Sequence, residues 1–100
     1  MALLDVDEID WIESAGNYVR IHAAGEVHRT RGTLSGLHER LGTERFLRIH
    51  RTIIVNVDRI RNITGHFCGD GAVVLRDGTH LNLSRSYRPG LQRLLQRYAP

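Results

Sequence analysis

The sequence predicts a mostly β protein with one short helix near its middle and another at its C-terminus. In several short stretches apolar residues alternate with polar ones, which is the pattern of strands with one buried face. Glycine-containing turns separate these stretches, and Asp77-Gly78 is the strongest hairpin signal among them. Leucines instead recur at helical spacing in segments 34–41 and 91–98. A length of 100 residues suits one domain, which we expect to span residues 1–100.

The N-terminal third predicts three strands joined by two turns. The first strand covers residues 9–13, and the serine, alanine, glycine and asparagine that follow form a turn cluster. Residues 18–23 alternate cleanly and predict a half-exposed strand. A turn centred on Gly25 then predicts that residues 27–31 return as an antiparallel partner at the sheet edge.

The two predicted helices have recognisable ends. Thr33 can cap the start of the first helix, and Gly42 can end it. The second helix should begin between residues 86 and 88, because Pro89 is tolerated only in a first helical turn. Its apolar face is predicted to hold Leu91, Leu94, Leu95 and Tyr98.

The central stretch 46–56, which reads FLRIHRTIIVN, predicts two strands around a basic tip. Its apolar residues fall on alternate positions, as in a strand with one buried face: Leu47, Ile49, Ile53 and Val55. Arg51 shares that face, and burying an unpaired guanidinium among apolar side chains is too costly to expect. We therefore expect a turn, a bulge or a strand end at residues 50–52, held on a rigid platform.

The C-terminal half predicts one more strand followed by a hairpin. The strand includes Ile60, and glycines then mark a loop over residues 65–71. Segments 72–75 and 81–83 flank the Asp-Gly turn, so we expect them to pair as an antiparallel hairpin.

The distribution of charge suggests a nucleic-acid partner. All fourteen basic residues are arginines, and all of them follow residue 19, whereas five of the eleven acids lie within the first thirteen residues. Forked guanidinium donors suit phosphate and guanine, although a GC-rich genome also favours arginine codons. The sequence lacks a signal-peptide pattern and an apolar run of membrane-spanning length, so we expect a soluble, cytoplasmic protein without membrane contact.

Enzyme and metal functions find little support in the sequence. The single cysteine, Cys68, excludes an internal disulfide, and of the six histidines only His66 lies close to it. No HExxH motif, nucleophile elbow or phosphate loop is present. We therefore expect no catalytic activity, no cofactor and no metal site.

Polar and basic side chains instead stand at predicted strand ends. Asn17 and Tyr18 leave the first turn, His50 and Arg51 occupy the central tip, and Arg85 follows the last strand. If these ends share one side of the domain, they form a basic edge that can meet a DNA duplex. Ordinary solvation of surface arginines is the simpler alternative.

Four segments that follow one another along nearly the whole chain resemble the motifs of a known family. They read WIESAGNYVRIH, RGTL, RFLRIHRTIIVNVDRIRNI and LRDGTHLNLSRSYRPGL. They resemble the LytTR DNA-binding domain of bacterial response regulators of the LytR/AlgR family. The resemblance implies an elongated fold of about ten strands in small antiparallel sheets, with loops that enter the major grooves of double-stranded promoter DNA. It also implies repeated sites, a homodimer on DNA, and a longer regulator, in a two-component system, whose receiver or sensor domain lies outside this chain.

The resemblance also implies roles for individual residues. Base contacts are expected from Asn17, with Tyr18 beside it, and from Arg51 and Arg85. His50 is expected mainly to buttress the central turn, and the alternative for it is a phosphate contact. We further expect phosphate contacts from three arginines: Arg20, Arg48 and Arg88. The alternative is an RNA-binding or protein-interaction β module that uses the same basic edge, although RNA recognition favours clustered aromatic side chains.

Overall fold

The computed structural model describes residues 5–65 and 70–98, so the prediction for His66 and Cys68 lies outside the described residues. These residues form eight strands: β1 (Ile9–Ala15), β2 (Tyr18–Ala23), β3 (Glu26–Arg31), β4 (Phe46–His50), β5 (Ile53–Asn56), β6 (Ile60–Gly65), β7 (Gly71–Leu75) and β8 (His80–Leu83). The helices are α1 (Leu34–Leu41) and α2 (Arg88–Tyr98). The predicted mostly β class is confirmed, with eight strands in the described part against the ten or so that the resemblance implies. The molecule is elongated, at 43 × 28 × 24 Å.

The strands build two antiparallel sheets. The first has the order β3-β2-β1-β5-β4, and the second has the order β6-β7-β8. The predicted hairpins β2–β3 and β7–β8 are confirmed, and β3 lies at an edge as expected. At the Asp77-Gly78 turn, Gly78 has a φ of +94° and the carboxylate of Asp77 accepts a hydrogen bond from the amide of Thr79 at 2.9 Å. Glycine reaches that φ without steric cost, which is why this dipeptide predicts the turn so well.

The first sheet is buried on both faces at β4 and β5. Phe46 and Ile54 pack on one face in a core that includes Leu34 of α1. Ile49 and Val55 pack on the opposite face, in a core with residues of the second sheet and of α2. The expectation of a single buried face for residues 46–56 is therefore wrong, because this strand pair lies between a helix and a second sheet. Strands covered on both sides lose the clean alternation of a half-exposed strand.

Asn56 ends the central motif as a buried polar residue with a structural role. Its side chain is 1% exposed, donates from Nδ2 to the carbonyl of Ile9 at 2.8 Å and accepts from the amide of Asp58 at 3.0 Å. It therefore satisfies two backbone groups where the chain leaves β5.

The first helix begins and ends where its capping residues predicted, and the second begins at Arg88, within the predicted range. The hydroxyl of Thr33 accepts a hydrogen bond from the amide of Gly36 at 3.0 Å, and the amide of Gly42 donates to the carbonyl of His38 at 3.0 Å. A short 3-10 turn, Arg85–Tyr87, leads directly into α2. Within α2, Leu91 is buried while Leu95 remains 38% exposed, so the apolar face is narrower than its spacing suggested.

Loss of the cap should destabilise the protein measurably. We expect Thr33→Ala to lower the free energy of unfolding by about 1 kcal/mol, because an amide in the first turn of α1 loses its acceptor. Thr43→Ala is the matched control, since Thr43 is exposed and outside the helices and strands. Urea unfolding of both variants checks this, and equal stabilities would contradict it.

Candidate nucleic-acid interface

Backbone hydrogen bonds bring three turns to one end of the first sheet. The amide of Ser14 donates to the carbonyl of Thr52 at 3.0 Å, which joins the β1–β2 turn to the β4–β5 turn. The amide of Ser84 donates to the carbonyl of Ile49 at 2.8 Å, which joins the segment after β8 to β4 just before the same turn. We call this end the tip edge; it comprises residues 16–17, 50–52 and 84–86.

The tip edge brings together the residues expected to contact bases. Asn17, Arg51 and Arg85 are all exposed there. Asn17 and Arg51 line one shallow concavity of about 400 Å³, which Ser35 of α1 also lines. The amide of Arg85 donates to the carboxylate of Asp70 at 3.1 Å, which fixes its backbone just before α2.

A bulge turns the chain at the central tip. Arg48 pairs with Ile54, but the next pair across the strands is His50 with Ile53, so Ile49 is the extra residue. The bulge allows Ile49 to stay buried while Arg51 enters the turn and becomes exposed. The expected turn at residues 50–52 is thus confirmed, and a bulge at Ile49 immediately precedes it.

His50 is bonded to the turn that it precedes. Its Nδ1 accepts a hydrogen bond from the amide of Thr52 at 3.1 Å and lies 2.9 Å from the hydroxyl of the same residue. Because a backbone amide can only donate, Nδ1 acts as an acceptor in this arrangement. The half-buried ring therefore holds the turn by bonding to Thr52.

Arg48 uses its guanidinium inside the protein. It donates from Nη2 to the carbonyl of Arg51, from Nη1 to the hydroxyl of Ser35 at 2.9 Å and from Nε to the carbonyl of His50 at 3.4 Å. Its Cζ also lies 6.0 Å from the ring centroid of Tyr87. Arg48 thus connects α1, the central tip and the segment that carries Arg85. No local pattern indicates Ser35 or Tyr87 as partners, since each is far from Arg48 along the chain.

The remaining expected contact residues lie on either side of the tip edge. Tyr18 and Arg20 begin β2, and the pKa of the Tyr18 phenol is lowered mainly by a hydrogen bond from Arg29 and then by one from Arg20. Arg88 opens α2, and its guanidinium rests on Gly65, where any Cβ atom would collide with Nη2. Glycine at this position is what allows Arg88 to cross the end of β6.

Carboxylates neutralise arginines elsewhere on the molecule. Arg45 forms an ion pair with Asp7 at 2.5 Å, which raises the pKa of this guanidinium above its ordinary value, and Arg59 lies beside Asp10. Within residues 5–65 and 70–98, neither Arg51 nor Arg85 has an ion pair with a carboxylate. Asp7 and Asp10 of the acidic N-terminal segment therefore pair with arginines outside the tip edge.

Metal ligands and membrane helices are not found in the described part of the chain. Within it, no three histidine, cysteine, aspartate or glutamate residues are grouped as metal ligands. None of the helices described there is both long enough and apolar enough to cross a membrane.

The fold and the tip edge together define a β-sheet protein that presents polar and basic loop tips on a braced platform. Residues 1–96 match the LytTr DNA-binding domain family, and the chain belongs to that family. This is a DNA-binding family found in bacterial response regulators rather than a family of enzymes.

Individual relatives agree with this assignment. The chain is 34% identical over 99 residues to the sensory transduction protein LytT of Oceanobacillus iheyensis, covering 96% of this chain and 40% of the relative. It is 26% identical over 96 residues to LytT of Bacillus anthracis, covering 96% of this chain and 39% of the relative. The chain thus spans about two fifths of the length of these relatives. Its fold matches the LytTr DNA-binding domain of a Bacillus cereus response regulator with a TM-score of 0.84 at 22% identity, over 92% of this chain and 84% of that one.

Proposed function

We propose that the chain binds double-stranded DNA in a sequence-specific manner through the tip edge, as the output domain of a bacterial transcription regulator. Membership of the LytTr family supports DNA binding, and the gathering of Asn17, Arg51 and Arg85 on one exposed edge supports the choice of surface. The receiver or sensor domain would lie in the part of a longer protein that this chain does not span. Because the proposed partner is promoter DNA, we infer a cytoplasmic location.

In the proposed complex, loops enter the major groove and read base edges. A guanidinium can donate two hydrogen bonds to O6 and N7 of guanine, and an asparagine side chain can pair with N6 and N7 of adenine. We assign the first type of contact to Arg51 and Arg85 and the second to Asn17. From the family resemblance we further propose that the DNA bends and that a homodimer occupies repeated sites.

We assign different supporting roles to the other residues of the interface. Arg20 and Arg88 bind phosphates, which position the protein without selecting a sequence. His50 and Arg48 hold the central turn, because their side chains bond to it directly. For Arg48 we propose this role in place of the phosphate contact expected from sequence, because its guanidinium donates to Ser35, His50 and Arg51.

Selection of bound duplexes from a random pool tests the function and supplies the site. We expect enrichment of a defined sequence, and the 100-residue chain should bind that duplex more tightly than a random duplex of equal length. A single-stranded RNA of the same sequence should compete weakly. Failure to enrich any sequence, or stronger competition by the RNA, would overturn the proposal in favour of an RNA-binding or protein-interaction module.

Displacing Arg88 should weaken DNA binding without changing sequence preference. We expect Gly65→Ala to push the guanidinium off the end of β6 and to reduce the salt dependence of binding by about one phosphate contact, a slope change of roughly 0.9. Gly90→Ala is the matched control, because a Cβ at Gly90 meets only Leu47 at an ordinary 3.8 Å. Equal slopes for the two variants, measured by titration at several salt concentrations, would argue against Arg88 as a phosphate ligand.

A further inference from the structure

The outer two strands of the first sheet carry an uncovered basic face. In the β2–β3 pair Arg20 lies directly opposite Arg29, and Tyr18 lies directly opposite Arg31. Opposite residues, and residues two apart on one strand, project from the same face, so these four side chains share it. On β5 the corresponding face carries Val55, which is buried in the core formed with the second sheet. The second sheet covers this face over β5 and leaves the β2–β3 part exposed.

The positive charges on this face are not compensated. Arg20, Arg29 and Arg31 are exposed, and no ion pair within residues 5–65 and 70–98 connects any of them to a carboxylate. The acid opposite Arg20 on β1 is Glu13, and its carboxylate lies 2.6 Å from Nε2 of His22 instead. Like charges directly opposite on neighbouring strands destabilise a sheet. This face therefore carries a repulsion that a bound anion would relieve.

Tyr18 orders one of these arginines. The Cζ atom of Arg29 lies 5.4 Å from the centroid of the Tyr18 ring, and Nη1 of Arg29 donates to the Tyr18 hydroxyl at 3.5 Å. The tyrosine thereby limits the freedom of a long side chain, which reduces the conformational entropy lost when that side chain binds a ligand.

The basic face adjoins the tip edge. The amide of Gly32 donates to the carbonyl of Asn17 at 3.3 Å, which ties the end of β3 to the β1–β2 turn. Arg31 immediately precedes Gly32, and Tyr18 immediately follows Asn17. The arginines therefore extend from the edge at which bases are proposed to be read.

We propose that Arg29 and Arg31 act with Arg20 as an arginine ladder that binds consecutive phosphates of the DNA strand flanking the site contacted by Asn17. This inference rests on the proposed function and extends its footprint to β3. Planar, forked guanidinium donors match phosphate oxygens and carry no sequence information in that contact. The ladder sets affinity and register on the duplex, and the tips choose the sequence.

The test compares two double variants that lose the same charge. Arg29→Gln/Arg31→Gln removes two ladder arginines. Arg61→Gln/Arg76→Gln is the control and removes two exposed arginines of the second sheet. Arg61 lies near the start of β6 and Arg76 directly follows β7, at the end of this strand pair away from Gly65 and Gly71. Binding is titrated at several salt concentrations on two probes, a duplex selected from a random pool and a random duplex of equal length. For the ladder variant we expect the slope of log K against log salt to fall by about 1.8, or roughly 0.9 for each lost contact, with equal fold losses on both duplexes. The control variant should change the slope much less.

Several results would overturn the ladder while leaving the proposed function intact. One is an unchanged slope of log K against log salt, and another is a loss of affinity no larger than that of the control variant. A third is a loss of affinity confined to the selected duplex, which would indicate that these arginines read bases. No duplex binding by the unmodified chain would overturn both proposals. The midpoint of thermal unfolding of the ladder variant should stay equal to that of the unmodified chain or rise, because a like-charge repulsion is removed. The variant Arg29→Lys/Arg31→Lys keeps both charges, so it should show most of the salt dependence of the unmodified chain. A lowered midpoint together with failure of the lysine variant would identify a structural role instead and reject the ladder.

Discussion

Arg51→Ala and Arg85→Ala each lower the affinity for a duplex selected from a random pool by about 1–3 kcal/mol, roughly 5- to 150-fold, and relax sequence preference at the bases they contact. This is the expected result if each guanidinium donates two hydrogen bonds to one guanine. Both side chains are exposed at the tip edge, and among the described residues neither has a carboxylate partner that would compete with a base. Because the two residues belong to different turns, we expect their losses to add, giving about 2–6 kcal/mol in the double variant.

Charge and geometry can be separated by conservative substitution. Arg51→Lys keeps the positive charge but lacks the fork, so we expect it to retain binding to random duplexes and to lose preference for the selected one. Arg76→Ala serves as the control for loss of one exposed arginine outside the tip edge. If Arg51→Ala and Arg85→Ala both bind the selected duplex with unmodified affinity and preference, the assignment of base contacts fails.

Arg48→Met should abolish the contribution of Arg51 to the affinity for DNA, although Arg51 itself is unchanged. Methionine retains much of the length of the side chain but donates no hydrogen bond to Ser35 or to the carbonyls of His50 and Arg51. Hydrogen bonds from a charged donor contribute about 1.5–3 kcal/mol each, so their loss should free the turn from its fixed position. We expect the affinity for the selected duplex to fall by about the same 1–3 kcal/mol as in Arg51→Ala.

A double-mutant cycle distinguishes positioning from general destabilisation. If Arg48 acts through Arg51, the double variant Arg48→Met/Arg51→Ala should bind almost as well as Arg51→Ala alone, with a coupling energy of about 0.5–3 kcal/mol. Additive losses would instead indicate an independent phosphate contact by Arg48, the role expected from sequence. Unfolding curves for each variant confirm that the comparison is made between folded proteins.

The order and type of the structural elements could be predicted from local patterns alone. Period-two alternation predicted β2, the Asp77-Gly78 dipeptide predicted the β7–β8 hairpin, and leucine spacing with Thr33 and Gly42 at its ends predicted α1. These features depend on residues close together in sequence, where backbone sterics and hydrogen bonding act directly. The motif around residues 46–56 likewise indicated a basic turn between two strands, and through its resemblance it indicated the family.

Contacts between distant residues were decided only by the tertiary structure. Alternation at residues 46–56 predicted one buried face, but α1 covers the opposite face as well, so Ile54 is as fully buried as Val55. From the sequence Arg48 was expected to contact a phosphate, whereas in the fold its guanidinium bonds to the central tip and to Ser35, which α1 brings beside it. Arg29 has no local sequence feature that indicates a site, and only the β2–β3 register places it opposite Arg20. Local periodicity determines which segments form strands and helices, whereas the packing of layers determines which side chains are buried, braced or left free to bind.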